Sequence, residues 1–320
     1  MFRHILVPLD GSRLAVAAVP YADALARAFD ARISLLGVVE PFPEFGRRPS
    51  AAVREADERQ ITTSAAYLES VAAPMRARDL AVTTVVRHGN PAAEIMAYAE
   101  EAECALIVMG THGRTGLERA RMGSVAQHVL RHAVGPTLMV RPKSGESPAE
   151  EAAITDVTAT LDGSALAEEA LPIATRLATA LSVPLTLLRV IPSLTYLATA
   201  GWDGGYYYPM TEEMERDEEH AVAEYLEALA ARLRAPGLEV RTRWQRSVTN
   251  RAEEMIATYL AERPSGIAVT ASHGRGGVLR WALGSTAEGV LDQSPCPILI
   301  VRAGMVATNE PVSTSATVAP

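Results

Sequence analysis

Two short stretches hold residues whose types and spacing suit the binding of phosphate. "GTHGRTGLERARMGS", Gly110–Ser124, follows the apolar run "CALIVMG" and leads into a helix-like run. Gly110 and Gly113 permit close backbone approaches that a side chain would block. Gly123-Ser124 brings backbone N–H groups and a hydroxyl to the positive end of the next helix, a setting that suits a phosphate chain. There Ser124 and Val125 would donate to phosphates, Arg114 would add charge and His112 would orient the loop. Taken alone, the loop is equally consistent with a connection that binds nothing. The second stretch, "VPLDGS", ends an apolar strand on Asp10 at the same edge. That carboxylate either accepts from a base amino group or a ribose hydroxyl, or simply caps the following helix.

Other chemistries lack their residues. A phosphohydrolase with an aspartate nucleophile would need a carboxylate where Pro8 and Thr160 stand. No GxGxxG follows the first strand and no GxSxG occurs. Lysine occurs once, at Lys143, against 29 arginines, which excludes a Walker A loop and Schiff-base chemistry. Cys104 and Cys296 lie far apart in no zinc pattern. Of His4, His112, His128 and His132, the last two share a helix face, but no third metal ligand accompanies them. No catalytic residue and no protein-held metal is expected.

The elements that position these stretches occur twice. Leu9-Asp10-Gly11-Ser12 aligns with Leu161-Asp162-Gly163-Ser164 at an offset of 152, as do Pro20 with Pro172 and Val38 with Val190. "THGRTGLERARMGS" aligns with "SHGRGGVLRWALGS" at an offset of 161, so the second copy carries nine extra residues. Each copy alternates apolar strands with helices: "HILVPL", a helix over 12–29, "ISLLGVV", a long amphipathic helix over 51–78, "AVTTVVR", a helix from Asn90-Pro91, "CALIVMG", a helix over 124–132, and "TLMVRP". This predicts two α/β domains, each a five-stranded, mostly parallel, doubly wound sheet with ligands at the carboxyl ends of its strands. Domains over 1–143 and 154–303, a linker over 144–153 and a disordered tail over 304–320 are expected. The 320 residues suffice for two cores. Residues 1–143 carry 17 Lys and Arg against 15 Asp and Glu, the remainder 13 against 23, so no basic face invites nucleic acid. No apolar run is long enough for a membrane span and no signal peptide begins the chain, which predicts a cytoplasmic protein.

Gly110-x-x-Gly113, nine residues, then Gly123-Ser124 resembles the nucleotide motif of the universal stress protein family. "VPLDGS", "LLGVVEP", "HGNPAAEI", "VMGTHGRTGL", "MGSVAQHVL" and "PTLMVRP" follow that family's order, and the set recurs, so the chain resembles a tandem member. The resemblance implies a flavodoxin-like or adenine-nucleotide hydrolase-like fold that binds ATP, usually with a divalent ion such as Mg2+ on the phosphates. It implies a site of Pro8, Asp10, Val38, Met109, Gly110, His112, Gly113, Arg114, Gly123, Ser124 and Val125. Asp10 and the Val38 backbone would meet the base and ribose, and the glycines and Ser124 would wrap ribose and phosphates. It also implies that "PTLMVRP" and "PILIVRA" pair across the halves as an internal pseudo-dimer, open to further self-association.

The second copy retains Asp162, Val190, Gly274, Gly284 and Ser285, but Ala271 replaces the first glycine of the motif and Thr160 the proline. "SVTNRAEEM" also lacks the glycine and proline of "HGNPAAEI". Its acidic balance disfavours polyphosphate, so tighter binding is expected in the first copy. The aromatic insert Trp202–Tyr208 reads as a lid, a partner patch or self-packing cover. The resemblance, with these features, implies an ATP-binding stress-response sensor or interaction module. A slow ATPase and a nucleotide-free scaffold are the alternatives.

Overall fold

The computed structural model describes residues 2–41, 50–111, 122–133, 135–141, 151–192, 211–247, 251–272 and 283–302. The first half runs β1 (His4–Pro8), α1 (Arg13–Val16), α2 (Val19–Phe29), β2 (Arg32–Val39), α3 (Ala51–Arg76), β3 (Val82–His88), α4 (Pro91–Glu101), β4 (Leu106–Gly110), α5 (Ser124–His132) and β5 (Thr137–Val140). The second repeats it as β6 (Val157–Leu161), α6 (Ala165–Glu168), α7 (Leu171–Leu181), β7 (Leu185–Pro192), α8 (Glu212–Leu233), β8 (Val240–Ser247), α9 (Ala252–Ala261), β9 (Ile267–Ala271), α10 (Ser285–Gln293) and β10 (Ile298–Val301).

Local chemistry explains the boundaries. Ser12 caps α1 by accepting from the Ala15 N–H at 3.1 Å, and Asn90 caps α4 by accepting from Ala93 at 3.1 Å, with Pro91 in its first turn. The single helix expected over 12–29 is instead two, because Pro20 has no N–H to donate and must sit in a first turn, that of α2. Gly11 and Gly163 turn the chain after β1 and β6 with φ of +82° and +81°, a conformation that disfavours any other residue.

All ten strands form one sheet in the order β3-β2-β1-β4-β5-β10-β9-β6-β7-β8. Every pairing is parallel except β5 with β10, where Thr137, Leu138 and Met139 face Ile300, Leu299 and Ile298. The expected pairing of the two terminal strands is therefore present. Strands β1, β4, β5, β6, β9 and β10 are buried at every residue, as sheets covered on both faces require. Within each half the order is 3-2-1-4-5, which differs from flavodoxin's 2-1-3-4-5 and reverses direction beside the first strand. Apolar residues of both halves join in one cluster on each face of the sheet. The Arg141 guanidinium crosses the seam to donate to the Leu291 carbonyl at 3.2 Å.

A buried polar knot holds β1 to its neighbours. His4 Nδ1 donates to the Ala102 carbonyl at 2.8 Å, which leaves Nε2 to accept from the Ser34 hydroxyl at 2.8 Å. Ser34 also meets the Tyr98 hydroxyl at 2.9 Å and that of Thr83 at 3.0 Å. Burial pushes the His4 pKa below its ordinary 6.5; the bond to Ala102 opposes this and the charge of Arg32 adds to it. The unfolded chain therefore takes up this proton more readily, and stability is lost as pH falls through and below about 6.5. Between about pH 7.5 and 5.5 the wild-type melting temperature should drop further than that of His4→Asn. Equal drops would show that His4 carries none of the dependence.

Candidate functional site

The reversal of strand order opens a cleft at the carboxyl edge of the first half's sheet, and its volume is about 840 Å³. That falls within the roughly 300–1,000 Å³ range of small-molecule sites. Pro8 ends β1, and Asp10 follows it, half-buried, with its Oδ1 accepting from the Ser12 N–H at 2.9 Å. Val38 comes from β2, Met109 and Gly110 from the end of β4, and Gly123, Ser124 and Val125 from the start of α5. All eight line this one cleft. Asp10 is thus both the turn acceptor and a wall of the cleft. His112, Gly113 and Arg114 lie outside the described residues, as does Gly274 of the second half.

The glycine loop is clasped at its two ends, where the Gly123 N–H donates to the Thr111 carbonyl at 2.9 Å. Gly123 is the N-cap of α5 with φ −61° and ψ 151°, and no side chain caps the helix. The first intrahelical bond is from Gln127 to the Gly123 carbonyl, so the N–H groups of Ser124, Val125 and Ala126 have no helical acceptor. These three residues line the cleft. A Cβ on Gly123 would meet only the Thr111 carbonyl oxygen, at an ordinary 3.7 Å. The fold therefore does not demand glycine here, and the bare backbone leaves the helix end open to a ligand.

One wall was not legible as functional. Arg59, Gln60, Thr63, Ser64 and Tyr67 of α3 line the cleft on a single helical stripe. In sequence they resemble the solvated face of a long amphipathic helix. The signal was their mixture: one aromatic and several hydroxyls where charges would be usual. The Tyr67 hydroxyl is buried and has no hydrogen-bond partner among the described residues. Burial pushes its pKa up, and the charge of Asp10 adds to the shift. An unsatisfied buried hydroxyl costs about 1–3 kcal/mol.

In the second half, Gly284 caps α10 with φ −62° and ψ 146°, and its N–H donates to Ser272 at 2.8 Å, repeating the clasp ahead of Ser285. Asp162 accepts from the Ser164 N–H at 2.9 Å, as Asp10 does from Ser12, and Val190 lies in β7. Ala271 ends β9 as an ordinary strand residue, so its backbone accommodates the exchange from glycine. Arg251, the N-cap of α9, makes no side-chain capping hydrogen bond, unlike Asn90. The insert Trp202–Tyr208 lies outside the described residues.

Neither thiol is primed for nucleophilic work. Burial pushes Cys104 up to about 11 and raises Cys296 as well. Among the described residues no three His, Cys, Asp or Glu side chains gather as metal ligands, and no helix is long and apolar enough to cross a membrane.

A universal stress protein of Mycolicibacterium smegmatis is 29% identical over 306 residues, covering 93% of this chain and 96% of that relative. One from Methanocaldococcus jannaschii is 33% identical over 146 residues, 46% of this chain and 86% of its own length. The solved structure of a universal stress protein from Archaeoglobus fulgidus superposes with a TM-score of 0.67 at 20% identity, over 95% of this chain and 100% of that one. That likeness supports the fold alone. The model of the universal stress protein family matches twice, over residues 1–141 and 154–302. The chain is a tandem protein and belongs to the universal stress protein family.

Proposed function

We propose that the cleft of the first half binds an adenine nucleotide, ATP foremost, and that the protein acts in the cytoplasm as a nucleotide-dependent sensor or interaction module. The observation that carries this reading is a convergence. A helix N-terminus without a side-chain cap, Asp10, and Tyr67, whose buried hydroxyl has no partner among the described residues, all line one cleft of suitable volume. Phosphates would take the N–H groups of Ser124, Val125 and Ala126 and the Ser124 hydroxyl. Base and ribose would lie toward Asp10, Val38 and Tyr67. A divalent ion such as Mg2+ would be held chiefly through the phosphates. No side chain of the described cleft is placed as an activated nucleophile, so binding rather than turnover is the role assigned.

Calorimetric titration of the full chain with ATP and Mg2+ tests this, with saturable binding expected. Tyr67→Phe removes one hydroxyl and should weaken binding roughly 3–10-fold, the worth of one neutral hydrogen bond. No heat and no thermal shift with ATP would sink the reading. An unchanged affinity in Tyr67→Phe would remove Tyr67 from it.

A further inference from the structure

The two halves also differ at a position that neither the glycine motif nor the Leu-Asp-Gly-Ser repeat includes. At the offset of 152 that aligns β2 with β7, Gly37 corresponds to Arg189. In the first half Gly37 lies against α3, where a Cβ would meet Ser64 Oγ at 2.5 Å and Leu68 Cδ1 at 3.2 Å. In the second half the arginine side chain reaches the turn after β6. A Cβ on Gly163 would lie 2.8 Å from the Cζ, Nη1 and Nη2 atoms of Arg189. The guanidinium also stands over the Tyr225 ring, 5.1 Å from its centroid.

The two residues that flank Arg189 have counterparts in the open cleft. Gly163 corresponds to Gly11. The buried pair Leu68 and Ala72 of α3 is matched by the equally buried Leu226 and Ala230 of α8, which aligns Tyr67 with Tyr225. Strand registers agree: Ile33 pairs with Val82 and Leu185 with Val240. Gly11 and Tyr67 both line the first cleft. Between the corresponding residues of the second half lies a guanidinium.

The partners are arranged to keep it there. A cation over a tyrosine face within about 6 Å is attracted by the ring, more strongly as water is excluded. The Tyr225 hydroxyl, whose counterpart in Tyr67 is orphaned, donates to Glu168 Oε1 at 3.0 Å. Glu168 Oε2 is in turn 3.8 Å from Arg232 Nη1. The position equivalent to Glu168 in the first half is Val16, which offers no acceptor.

We propose that Arg189 is an internal plug that fills the base and ribose region of the second cleft, so that the intact chain has one adenine-nucleotide site and not two. This rests on the reading of the first cleft as a nucleotide site. Ala271 adds only a methyl group at the end of a strand, whereas Arg189 brings a guanidinium between Gly163 and Tyr225.

Titration of the full chain with ATP and Mg2+ should show one equivalent bound by wild type and two by Arg189→Gly. Arg189→Ala is measured beside it, because glycine within a strand costs about 0.5–1 kcal/mol. Photolabelling of wild type with 8-azido-ATP, followed by peptide mapping, needs no variant and should mark peptides of residues 1–143 only. The plug is overturned if wild type already binds two equivalents, if label appears in peptides carrying Asp162 or Val190, or if folded Arg189→Gly and Arg189→Ala gain no equivalent. Loss of an equivalent in the variants would also overturn it, by making Arg189 a ligand-holding group. Wild type that binds none defeats the nucleotide reading of the first cleft, while the plug is still judged on the equivalent gained by the variants.

Discussion

Gly123→Val should weaken ATP binding by about a hundredfold or more while the thermal midpoint falls by only a few degrees. The two effects separate because the fold and the ligand place different demands on this residue. Its φ of −61° and ψ of 151° are open to any residue, and a Cβ there makes one ordinary contact at 3.7 Å. Exchanging glycine for a β-branched residue at an N-cap costs at most about 1–2 kcal/mol, a few degrees for a chain of this size. The isopropyl group, however, would stand where an N-cap side chain ordinarily sits, against the N–H groups of Val125 and Ala126. Hydrogen bonds to a charged group are worth about 1.5–3 kcal/mol each. Losing two amounts to about 3–6 kcal/mol, and each 1.4 kcal/mol is tenfold in affinity. Calorimetry and differential scanning on one preparation read both quantities. A variant that binds ATP with wild-type affinity would remove the α5 N-terminus from the site.

The largest effect on stability is expected at the seam. Leu138 is 1% exposed and stands opposite Leu299, 2% exposed, in the antiparallel pairing of β5 and β10. Leu138→Asp would place a carboxylate there among apolar neighbours of both halves. An unpaired buried charge costs several kcal/mol, comparable with the whole stability of an ordinary domain. Because the apolar cluster continues across the seam, both halves should lose their transition together and the protein should be recovered largely unfolded or aggregated. Thr84→Asp, on the half-exposed edge strand β3, should have little effect by comparison. Two well-separated calorimetric transitions in Leu138→Asp, one near the wild-type midpoint, would show instead that the halves fold independently.

Much of this architecture was legible in the residues. The mostly apolar strands, the helix start at Asn90-Pro91, and the double Leu-Asp-Gly-Ser announced a parallel sheet made twice. The cleft's glycines and Asp10 were legible because loop-to-helix junctions place few residues in fixed positions. The α3 wall was not, because a helix stripe of Thr, Ser, Gln and Tyr has the periodicity of any solvated face until the sheet it covers is known. Pro20 carried the break between α1 and α2 in plain view, yet proline in a first turn also starts uninterrupted helices. Arg189 was readable in principle from the repeat alignment. Only the fold shows that a strand side chain there reaches across to Gly163 and Tyr225.

The covalent joining of the halves bears on what the second cleft is free to become. In a symmetric pair of identical chains, every substitution appears in both copies at once, so a change that blocks one cleft blocks the other. Here each copy has its own coding sequence, while the β5–β10 pairing still holds them in one sheet. The second copy can therefore lose its ligand and keep its place as a structural partner. An arginine where its twin has glycine is open to a fused chain and closed to a homodimer that must bind nucleotide.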